Sequence, residues 1–331
     1  MVDVRNKKIL FLSPKGSCLH YSEGIKNVLQ KKGATVFFYD ERPSQNSFAK
    51  VLIKKFKKSF PIYYLAYINR LIKQHPKVDV VFIIRGEGLT LASMNLLKQA
   101  YPKAKFILYM WDVLRAVDVS EVIPFFDLVL TFDPDDAIKM GGGVKFFPTF
   151  YLEEYRTLQK TSVDIDVFFV GSIYANRFRE LHQIEKILLK DNVVPFFYYY
   201  LPSRLLYFKN YVLTNRELKA KYKDFYYSPM TFQETLSYMA RSKAILDIRY
   251  SEQKSLSMRA FEALGSGTKY ITNNPEIRKY DFYHSNNIYI IGYEDRSISD
   301  FLRLEYQKIP QGLIEKYSVF NWVDSIFRLV V

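Results

Sequence analysis

The sequence predicts an α/β protein built from two doubly wound domains, and three observations lead to this prediction. The chain has 331 residues, which is enough for two domains at roughly 100–200 residues each. Short, unbroken apolar runs alternate with helical patterns, as expected for parallel strands that are covered by helices on both faces. This alternation starts again after a polar, charged stretch at 151–164, which we interpret as a linker.

The apolar runs define eleven candidate strands, six before the linker and five after it. They cover residues 8–13, 34–39, 78–84, 105–110, 128–132, 144–147, 167–171, 193–200, 244–248, 269–272 and 288–291. A helical pattern occupies 177–190. Residues 314–330 are predicted to form one closing amphipathic helix, because Trp322, Ile326 and Leu329 recur at helical spacing.

The composition excludes some classes of protein and leaves three classes of partner open. With 49% apolar residues the chain is expected to fold, and no apolar run approaches the length of a membrane span or a secretory signal. One cysteine and four scattered histidines predict neither a disulfide framework nor a zinc site, which favours the cytoplasm. The net charge of +14 fits nucleic acid, an anionic membrane surface or a phosphorylated substrate.

Several nucleotide-binding and catalytic motifs are missing from the sequence. The loop after the first strand, at 13–20, has a single glycine, which argues against a nicotinamide or flavin site. There is no P-loop and no serine nucleophile elbow. The triplets Asp133-Pro-Asp135 and Asp164-Ile-Asp166 could hold a divalent metal, but a helix cap and the start of a strand explain them as well. We therefore expect neither a cofactor nor a bound metal.

The most informative stretch of the sequence is 246–274. A strand is followed by a polar loop, and Ser257 is then a candidate N-cap for a short helix over 258–264. Gly265 and Gly267 are predicted to end that helix. A helix N-terminus offers free N–H groups and the positive end of its dipole, which suits a diphosphate.

Charged side chains flank this helix start. Lys254 and Arg259 could form charge-assisted hydrogen bonds to phosphate, and Glu262, one turn into the helix, could accept two ribose hydroxyls. The residues taken alone leave an alternative open, namely a capped helix with a solvated arginine and glutamate.

This region resembles the donor-binding region of GT-B-fold glycosyltransferases, and most closely the bacterial enzymes of capsule, exopolysaccharide and lipopolysaccharide synthesis. The resemblance rests on Ser257-Met-Arg-Ala-Phe-Glu-Ala-Leu-Gly-Ser-Gly267 followed by Lys269-Tyr-Ile-Thr-Asn273. Other matching stretches are Arg85-Gly-Glu-Gly88, Tyr109-Met-Trp-Asp112, Thr131-Phe-Asp-Pro134 and the closing helix with Trp322. The resemblance therefore spans essentially the whole chain.

The resemblance implies an architecture and an activity. The architecture is two Rossmann-like domains facing a cleft: an acceptor-binding domain at 1–155, a nucleotide-sugar-binding domain at 164–312, and a helix at 313–331 that crosses back to the first. The activity is metal-independent transfer of a sugar from a nucleotide-diphosphate sugar to a lipid-linked or growing surface-polysaccharide acceptor. The location would be the cytoplasm, or peripheral attachment to the inner face of the cytoplasmic membrane.

The family's donor-site residues carry over to particular positions. Glu262 matches the glutamate that binds the donor ribose, and Tyr227 and Met230 are assigned to the base pocket. The other residues assigned to the donor site are Gly171, Ser172, Arg177, Lys254, Ser255, Ser257 and Arg259. Many retaining members carry a second glutamate where this chain has Lys254, so the stereochemistry of transfer stays open.

Three residues of the first domain are candidates for the general base that an inverting enzyme needs. His20, Glu87 and Asp112 all follow predicted strands, at the carboxyl end where ligands bind in this architecture. Each also has an ordinary explanation: a surface histidine at a helix start, a plain turn between two glycines, and an N-cap.

Residues 50–77 carry eight Lys and Arg and no acid, at positions 50, 54, 55, 57, 58, 70, 73 and 77. The apolar side chains in this segment form a helical stripe consisting of Tyr64, Tyr67, Ile68, Leu71 and Ile72. The segment is either a surface that docks on anionic lipid or a core-packed helix with a solvated basic face.

Two other functions compete with glycosyl transfer. One is a nucleotide-sugar epimerase or hydrolase of the same fold. The other is a non-catalytic basic module that binds membrane or nucleic acid. The sequence contains no recognised nucleic-acid-binding motif, so we expect no nucleic-acid partner.

Overall fold

The structure is a computed structural model that describes residues 4–43, 61–173, 175–249 and 254–330. The chain divides into two compact units, Met1–Thr149 with Val319–Val331, and Phe150–Ser318. All eleven predicted strands are present, and no bound differs from its prediction by more than two residues.

The first unit contains a sheet of six parallel strands in the order β2-β1-β3-β4-β5-β6. Its strands are β1 (Lys8–Ser13), β2 (Thr35–Asp40), β3 (Val80–Ile84), β4 (Lys105–Met110), β5 (Leu128–Thr131) and β6 (Val144–Phe146). Its helices include α1 (Leu19–Lys31), α2 (Pro61–Gln74), α3 (Leu91–Ala100) and α4 (Pro134–Met140). The strand order reverses between β1 and β3, and the carboxyl ends of strands at such a point form a ligand-binding crevice in open α/β sheets.

The second unit contains a sheet of five parallel strands in the order β11-β10-β9-β7-β8. Its strands are β7 (Ile165–Ser172), β8 (Pro195–Tyr200), β9 (Ser242–Asp247), β10 (Lys269–Thr272) and β11 (Ile288–Ile290). Its helices include α5 (Glu153–Arg156), α6 (Ala175–Lys190), α7 (Arg204–Tyr207), α8 (Phe232–Ala240), α9 (Met258–Ser266), α10 (Ile298–Arg303) and α11 (Gln311–Lys316). Among the described residues, no helix combines the length and apolarity that crossing a membrane requires.

Helix α2 contains the apolar stripe of the basic segment. The side chains of Tyr64, Tyr67, Ile68 and Leu71 are buried in the core of the first unit. The apolar stripe is therefore core, as the second alternative predicts, and binding of the basic face to anionic lipid stays a prediction. Three basic residues, at positions 70, 73 and 77, are exposed, whereas positions 50, 54, 55, 57 and 58 lie outside the described residues.

The prediction of a single closing helix over 314–330 is wrong, because the chain leaves the helix at Tyr317 and Ser318. The carbonyl of Tyr317 accepts a hydrogen bond from the backbone N–H of Tyr151 at 2.9 Å. The Tyr317 hydroxyl donates to Asp281 Oδ1 at 2.7 Å. These contacts with distant residues hold the break between α11 and the last helix, α12 (Val319–Arg328).

Helix α12 packs on the sheet of the first unit, as the fold class predicts. The Trp322 ring lies edge-on to Tyr109, with centroids 4.8 Å apart, and its indole N–H donates to the Pro148 carbonyl at 3.0 Å. Trp322 and Ile326 are buried as expected, but Leu329 is exposed and Phe327 takes its place on the buried face. The error arises because α12 ends at Arg328, so the helical spacing does not continue to Leu329.

Candidate functional site

Charged side chains gather at the carboxyl edge of the sheet in the first unit. The chain leaves β2 at Glu41 and Arg42, β3 at Arg85 and β4 near Asp112, and Glu87 lies two residues beyond Arg85. We call these five residues the Arg85 cluster. Because the carboxyl ends of parallel strands share one edge, residues that are far apart in sequence meet there.

Arg85 is the central cation of the cluster. Its Nε lies 2.8 Å from Asp112 Oδ2 and 3.6 Å from Glu41 Oε1, and its Nη2 lies 3.1 Å from Glu87 Oε2. Arg42 Nη1 approaches the same oxygen of Glu87 at 3.4 Å. Two guanidinium groups thus hold three carboxylates together, and both Glu87 and Asp112, two of the three predicted base candidates, belong to the group.

The loop that carries Glu87 has a constrained backbone. Arg85 and Gly86 both have left-handed φ angles, 75° and 77°, and a non-glycine residue rarely adopts this conformation. At Gly88 a Cβ atom would lie 2.5 Å from Cε2 of Tyr64, so only glycine fits beside that ring. The Glu87 N–H donates to Glu41 Oε2 at 2.9 Å. The loop is therefore held by the Tyr64 ring at Gly88 and by the Glu41 carboxylate at Glu87.

Glu41 is a functional candidate that the sequence analysis missed. Its side chain is 1% exposed, and its Oε1 has no hydrogen-bond partner among the described residues. Burial raises its pKa to about 7, and the nearby Arg85 only partly opposes this rise. The position directly after β2 was the available signal, since the same argument selected Glu87 and Asp112.

His20, the third base candidate, lies in the first turn of α1. Its ring packs on Tyr21 with a centroid separation of 3.9 Å. Tyr21 in turn contacts Trp111, the neighbour of Asp112 in sequence, at 5.6 Å. His20 is therefore linked to the cluster through two aromatic rings.

In the second unit, Asp247 is the central acceptor at the carboxyl end of β9. Its Oδ1 lies 3.3 Å from Arg177 Nη2, and its Oδ2 accepts from the Ser257 hydroxyl at 2.6 Å and the Tyr270 hydroxyl at 3.0 Å. Arg177 also donates to the Ser172 carbonyl at 3.2 Å. These contacts bring together Arg177, Ser172 and Ser257 of the predicted donor site. Asp247, which bonds to both Arg177 and Ser257, was not selected by the sequence analysis.

Gly171 lies beneath the Arg177 guanidinium. A Cβ atom at this position would lie 3.1 Å from Cζ of Phe169 and 3.4 Å from Nη1 of Arg177. The guanidinium also stacks on the Phe169 ring at 5.2 Å. The close approach explains why a glycine precedes Ser172.

The start of helix α9 has the predicted geometry. Ser257 is the N-cap, and its hydroxyl oxygen accepts from the Arg259 N–H at 3.2 Å while its hydroxyl hydrogen is donated to Asp247. The helix ends at Ser266, and Gly267 has the left-handed conformation common after a helix, with a φ of 60°. The expectation that Gly265 also ends the helix is wrong, since this residue lies inside it.

Glu262 is fully buried in α9, and Arg259 Nη1 donates to its Oε2 at 2.6 Å. The loop before the helix is held by Asn274, whose amide donates to the carbonyls of Lys254 and Ser255 at 3.2 Å each. Ser255 is buried and Lys254 is exposed. Three cations, at 177, 254 and 259, and two carboxylates, at 247 and 262, thus lie around one helix N-terminus.

Replacing Gly265 with alanine is expected to destabilise the second unit by roughly 1–3 kcal/mol. The new Cβ would lie 2.5 Å from Cδ2 of the Tyr151 ring, which is fully buried and has little room to move. Chemical denaturation followed by far-ultraviolet circular dichroism measures the loss.

The matched control is Gly312→Ala, because Gly312 lies in α11 of the same unit with no atom within 4 Å of its Cβ position. Alanine there is expected to be neutral or to stabilise by up to about 1 kcal/mol. Equal stability of the two variants would contradict close packing at Gly265.

The predicted base-pocket residues follow β8. The Tyr227 ring stacks on Tyr222 at 4.6 Å, and its hydroxyl donates to the Tyr222 carbonyl at 3.2 Å. Burial raises the Tyr227 pKa to about 12, so the hydroxyl stays protonated at neutral pH. Met230 is half-buried and directly precedes Thr231, the N-cap of α8.

Both aspartate triplets have structural roles. Asp133 is the N-cap of α4, accepting from the N–H groups of Asp135 and Asp136 at 3.0 and 3.1 Å. Asp164 forms a salt bridge with Arg241, and Asp166 pairs with Lys243 at 2.7 Å.

No protein-family model and no curated protein sequence matches the chain. Among solved structures, HepE from Anabaena in complex with UDP and glucose has a TM-score of 0.60 at 12% identity, covering 98% of this chain and 99% of that one. The lipopolysaccharide outer core galactosyltransferase WaaB has a TM-score of 0.54 at 16% identity, covering 97% and 99%. The UDP-GlcNAc 2-epimerase from Methanocaldococcus jannaschii has a TM-score of 0.55 at 12% identity, covering 97% and 99%.

These similarities extend over the whole length of each chain, and at such low identities they establish the fold. The predicted fold class, GT-B with two doubly wound parallel sheets and a closing helix on the first, is confirmed. The site residues remain assignments from the sequence, now with known surroundings.

Proposed function

We propose that the chain is a glycosyltransferase that moves a sugar from a nucleotide-diphosphate donor to a lipid-linked or growing surface-polysaccharide acceptor, without a bound metal. The observation that carries the proposal is the set of cations around the capped N-terminus of α9. This arrangement suits a diphosphate leaving group, and it can stabilise the departing charge without a metal ion.

The donor would bind in the second unit by an exchange of partners. Glu262 and Arg259 now pair with each other at 2.6 Å. When the nucleotide binds, the ribose hydroxyls take over the Glu262 carboxylate, and Arg259 turns to the diphosphate together with Lys254. Arg177 contributes less charge than the sequence analysis assumed, because Asp247 lies 3.3 Å from its guanidinium.

The acceptor would bind in the first unit, at the Arg85 cluster. The Asp112 side chain is 43% exposed, against 13% for Glu87 and 1% for Glu41, so Asp112 is the carboxylate that a large acceptor can reach. In an inverting reaction Asp112 takes the proton of the acceptor hydroxyl while that oxygen attacks the anomeric carbon and the nucleotide diphosphate leaves. Arg85 orients Asp112, and Glu87 and Glu41 hold Arg85.

The comparisons support the donor and acceptor classes of the proposal. HepE was crystallised with UDP and glucose, and WaaB is named as a galactosyltransferase of lipopolysaccharide. UDP is therefore the first nucleotide to test. The single cysteine favours a cytoplasmic enzyme, and in this proposal the exposed cations at 70, 73 and 77 attach it peripherally to an anionic inner membrane face.

Titration calorimetry with UDP, GDP, CDP, ADP and TDP is expected to identify at least one nucleotide that binds. Replacing Glu262 with glutamine should weaken that binding about 10- to 100-fold, because a hydrogen bond to a charged acceptor contributes about 1.5–3 kcal/mol. The substitution keeps the shape of the side chain, so circular dichroism should show an unchanged fold.

The matched control is Glu315→Gln, because Glu315 belongs to the same unit and pairs with Arg156 at 3.4 Å on the surface. Its nucleotide affinity should equal that of the parent chain. If no nucleotide binds, or if Glu262→Gln binds as well as the control, the donor site is assigned wrongly.

A nucleotide-sugar epimerase or hydrolase is the second candidate function, favoured by the similarity to the archaeal UDP-GlcNAc 2-epimerase. Incubation with a panel of nucleotide sugars and no acceptor separates the two. An epimerase converts its sugar under these conditions and a hydrolase releases it rapidly, whereas a transferase hydrolyses its donor only slowly.

A further inference from the structure

The segment between β8 and α8 exposes large apolar side chains. It contains α7, a π-helical stretch over Phe208–Thr214 and two 3₁₀ turns, at Arg216–Leu218 and Tyr222–Asp224. Leu205 is 80% exposed and Phe208 is 53% exposed, and Leu206 and Leu213 are exposed as well. Clustered exposed apolar side chains mark interaction sites more often than single ones do.

The outward leucines are not a sign that the segment is loosely attached. On its inner side, the Tyr211 ring packs against Phe225 at 4.8 Å and against Phe178 at 5.5 Å. Tyr207 packs on Phe225 at 5.8 Å. The segment therefore has its own buried aromatic face, and the apolar side chains of the opposite face remain in solvent.

Basic residues outnumber acids around these side chains: residues 204–226 contain six Lys and Arg and two acids, Asp224 and Glu217, the latter paired with Arg179 at 2.9 Å. Between Asn192 and Arg216 the sequence contains no aspartate or glutamate, and Arg204, Lys209 and Arg216 are exposed next to the apolar side chains. Lys219, Lys221 and Lys223 follow, with Tyr222 and Tyr226 exposed between and beyond them. Basic, leucine-rich segments with aromatic rims are typical of surfaces that lie in the interface of an anionic bilayer.

We propose that residues 204–226, the lipid-facing surface, bind an anionic phospholipid bilayer. Charge complementarity selects this occupant over a second copy of the chain, because a two-fold contact would place each basic cluster against its own copy. The surface belongs to the second unit and is separate from the basic segment at 50–77. The proposal does not depend on the proposed activity, since bilayer binding requires neither donor nor acceptor.

The lipid-facing surface lies at the same edge of the sheet as the candidate donor site. The segment begins directly after the carboxyl end of β8, the same sheet edge at which Ser172 and Asp247 lie. A bilayer bound there would approach the second unit from the side of its candidate donor site. A lipid-linked acceptor would then reach the protein from the plane of the membrane.

Cosedimentation with vesicles tests the proposal on the full chain. With phosphatidylcholine vesicles that contain about 30% phosphatidylglycerol, we expect binding that salt weakens, and with phosphatidylcholine alone we expect little. The double variant Leu205→Ser/Phe208→Ser should bind at least about 10-fold more weakly, because both side chains lose their apolar contact with lipid.

The matched control is Ile187→Ser/Leu189→Ser. These side chains are 55% and 58% exposed and lie near the end of α6, close to Lys186 and Lys190, in the same unit. Helix α6 starts at the carboxyl edge of the sheet, after β7, and runs back along it. Its last turn, with Ile187 and Leu189, therefore lies near the amino edge, opposite to the edge of the lipid-facing surface. Their loss should leave vesicle binding unchanged, and equal weakening of both double variants would overturn the proposal.

A local probe separates this surface from any contact made by residues 50–77. Cys18 is the only cysteine of the chain, so Cys18→Ser/Phe208→Cys can be labelled at one position with an environment-sensitive dye. Anionic vesicles should shift its emission to the blue, and a dye on Cys18→Ser/Leu189→Cys should not respond. A chain that binds vesicles without a shift at position 208, or a dimer in sedimentation velocity that Leu205→Ser/Phe208→Ser dissociates, would overturn the proposal.

Discussion

Replacing Arg85 with methionine is expected to lower the free energy of unfolding of the first unit by about 3 kcal/mol, because removing one partner of a buried ion-pair network leaves uncompensated charges. The three carboxylates around Arg85 would then share only the guanidinium of Arg42, which lies 3.4 Å from Glu87. Methionine keeps an unbranched apolar stem and lacks the guanidinium, so the loss reports mainly the missing charged group.

Tryptophan fluorescence during chemical denaturation measures this loss in the first unit alone. The chain has two tryptophans, Trp111 and Trp322, and both belong to that unit. The control is Lys105→Met, because Lys105 pairs with Asp127 at 3.4 Å on the surface of the same unit. Such a pair is expected to contribute less than about 1 kcal/mol. Similar losses for the two variants would show that the Arg85 cluster contributes no more than a surface ion pair.

The fold was predictable because its signal is local. The run at 9–12 in β1 is apolar throughout and fully buried, as a strand covered on both faces requires. The break in the closing helix had no such signal. Helical spacing continues through Tyr317. The contacts that hold this residue outside the helix come from Tyr151 and Asp281, which are 166 and 36 positions earlier in the chain.

The candidate site was predictable only in part, for the same reason. Glu87 and Asp112 were found because a strand end can be located from the sequence. The importance of Asp247 depends on three partners that are 70, 10 and 23 positions away, at 177, 257 and 270, and no spacing rule brings them together. Glu41 likewise looks like an ordinary charged residue after a strand until the folded chain buries it.

Stability measured against pH is expected to reveal Glu41 directly. Its pKa is about 7 in the folded chain against an ordinary value of 4.5, so the folded state binds the proton more tightly. The stabilisation that this proton provides is complete below pH 4.5 and is lost as the pH rises through 7. Between pH 5 and pH 8 the loss is roughly 2–3 kcal/mol, since one pKa unit corresponds to about 1.4 kcal/mol.

Glu41→Gln removes this titration while its amide oxygen can still accept from the Glu87 N–H. The parent chain loses roughly 2–3 kcal/mol of unfolding free energy between pH 5 and pH 8, and the variant should not show this loss. The difference in unfolding free energy, variant minus parent, should therefore rise by roughly 2–3 kcal/mol over this range, as measured by tryptophan fluorescence in denaturant. The control Glu121→Gln removes an exposed carboxyl of the same unit, and its effect should stay within about 0.5 kcal/mol at both pH values. If the unfolding free energies of both variants change with pH by the same amount as that of the parent chain, Glu41 does not titrate between these pH values. The buried carboxyl would then be held ionised by Arg85, and the attraction between the two would exceed the cost of burying the charge.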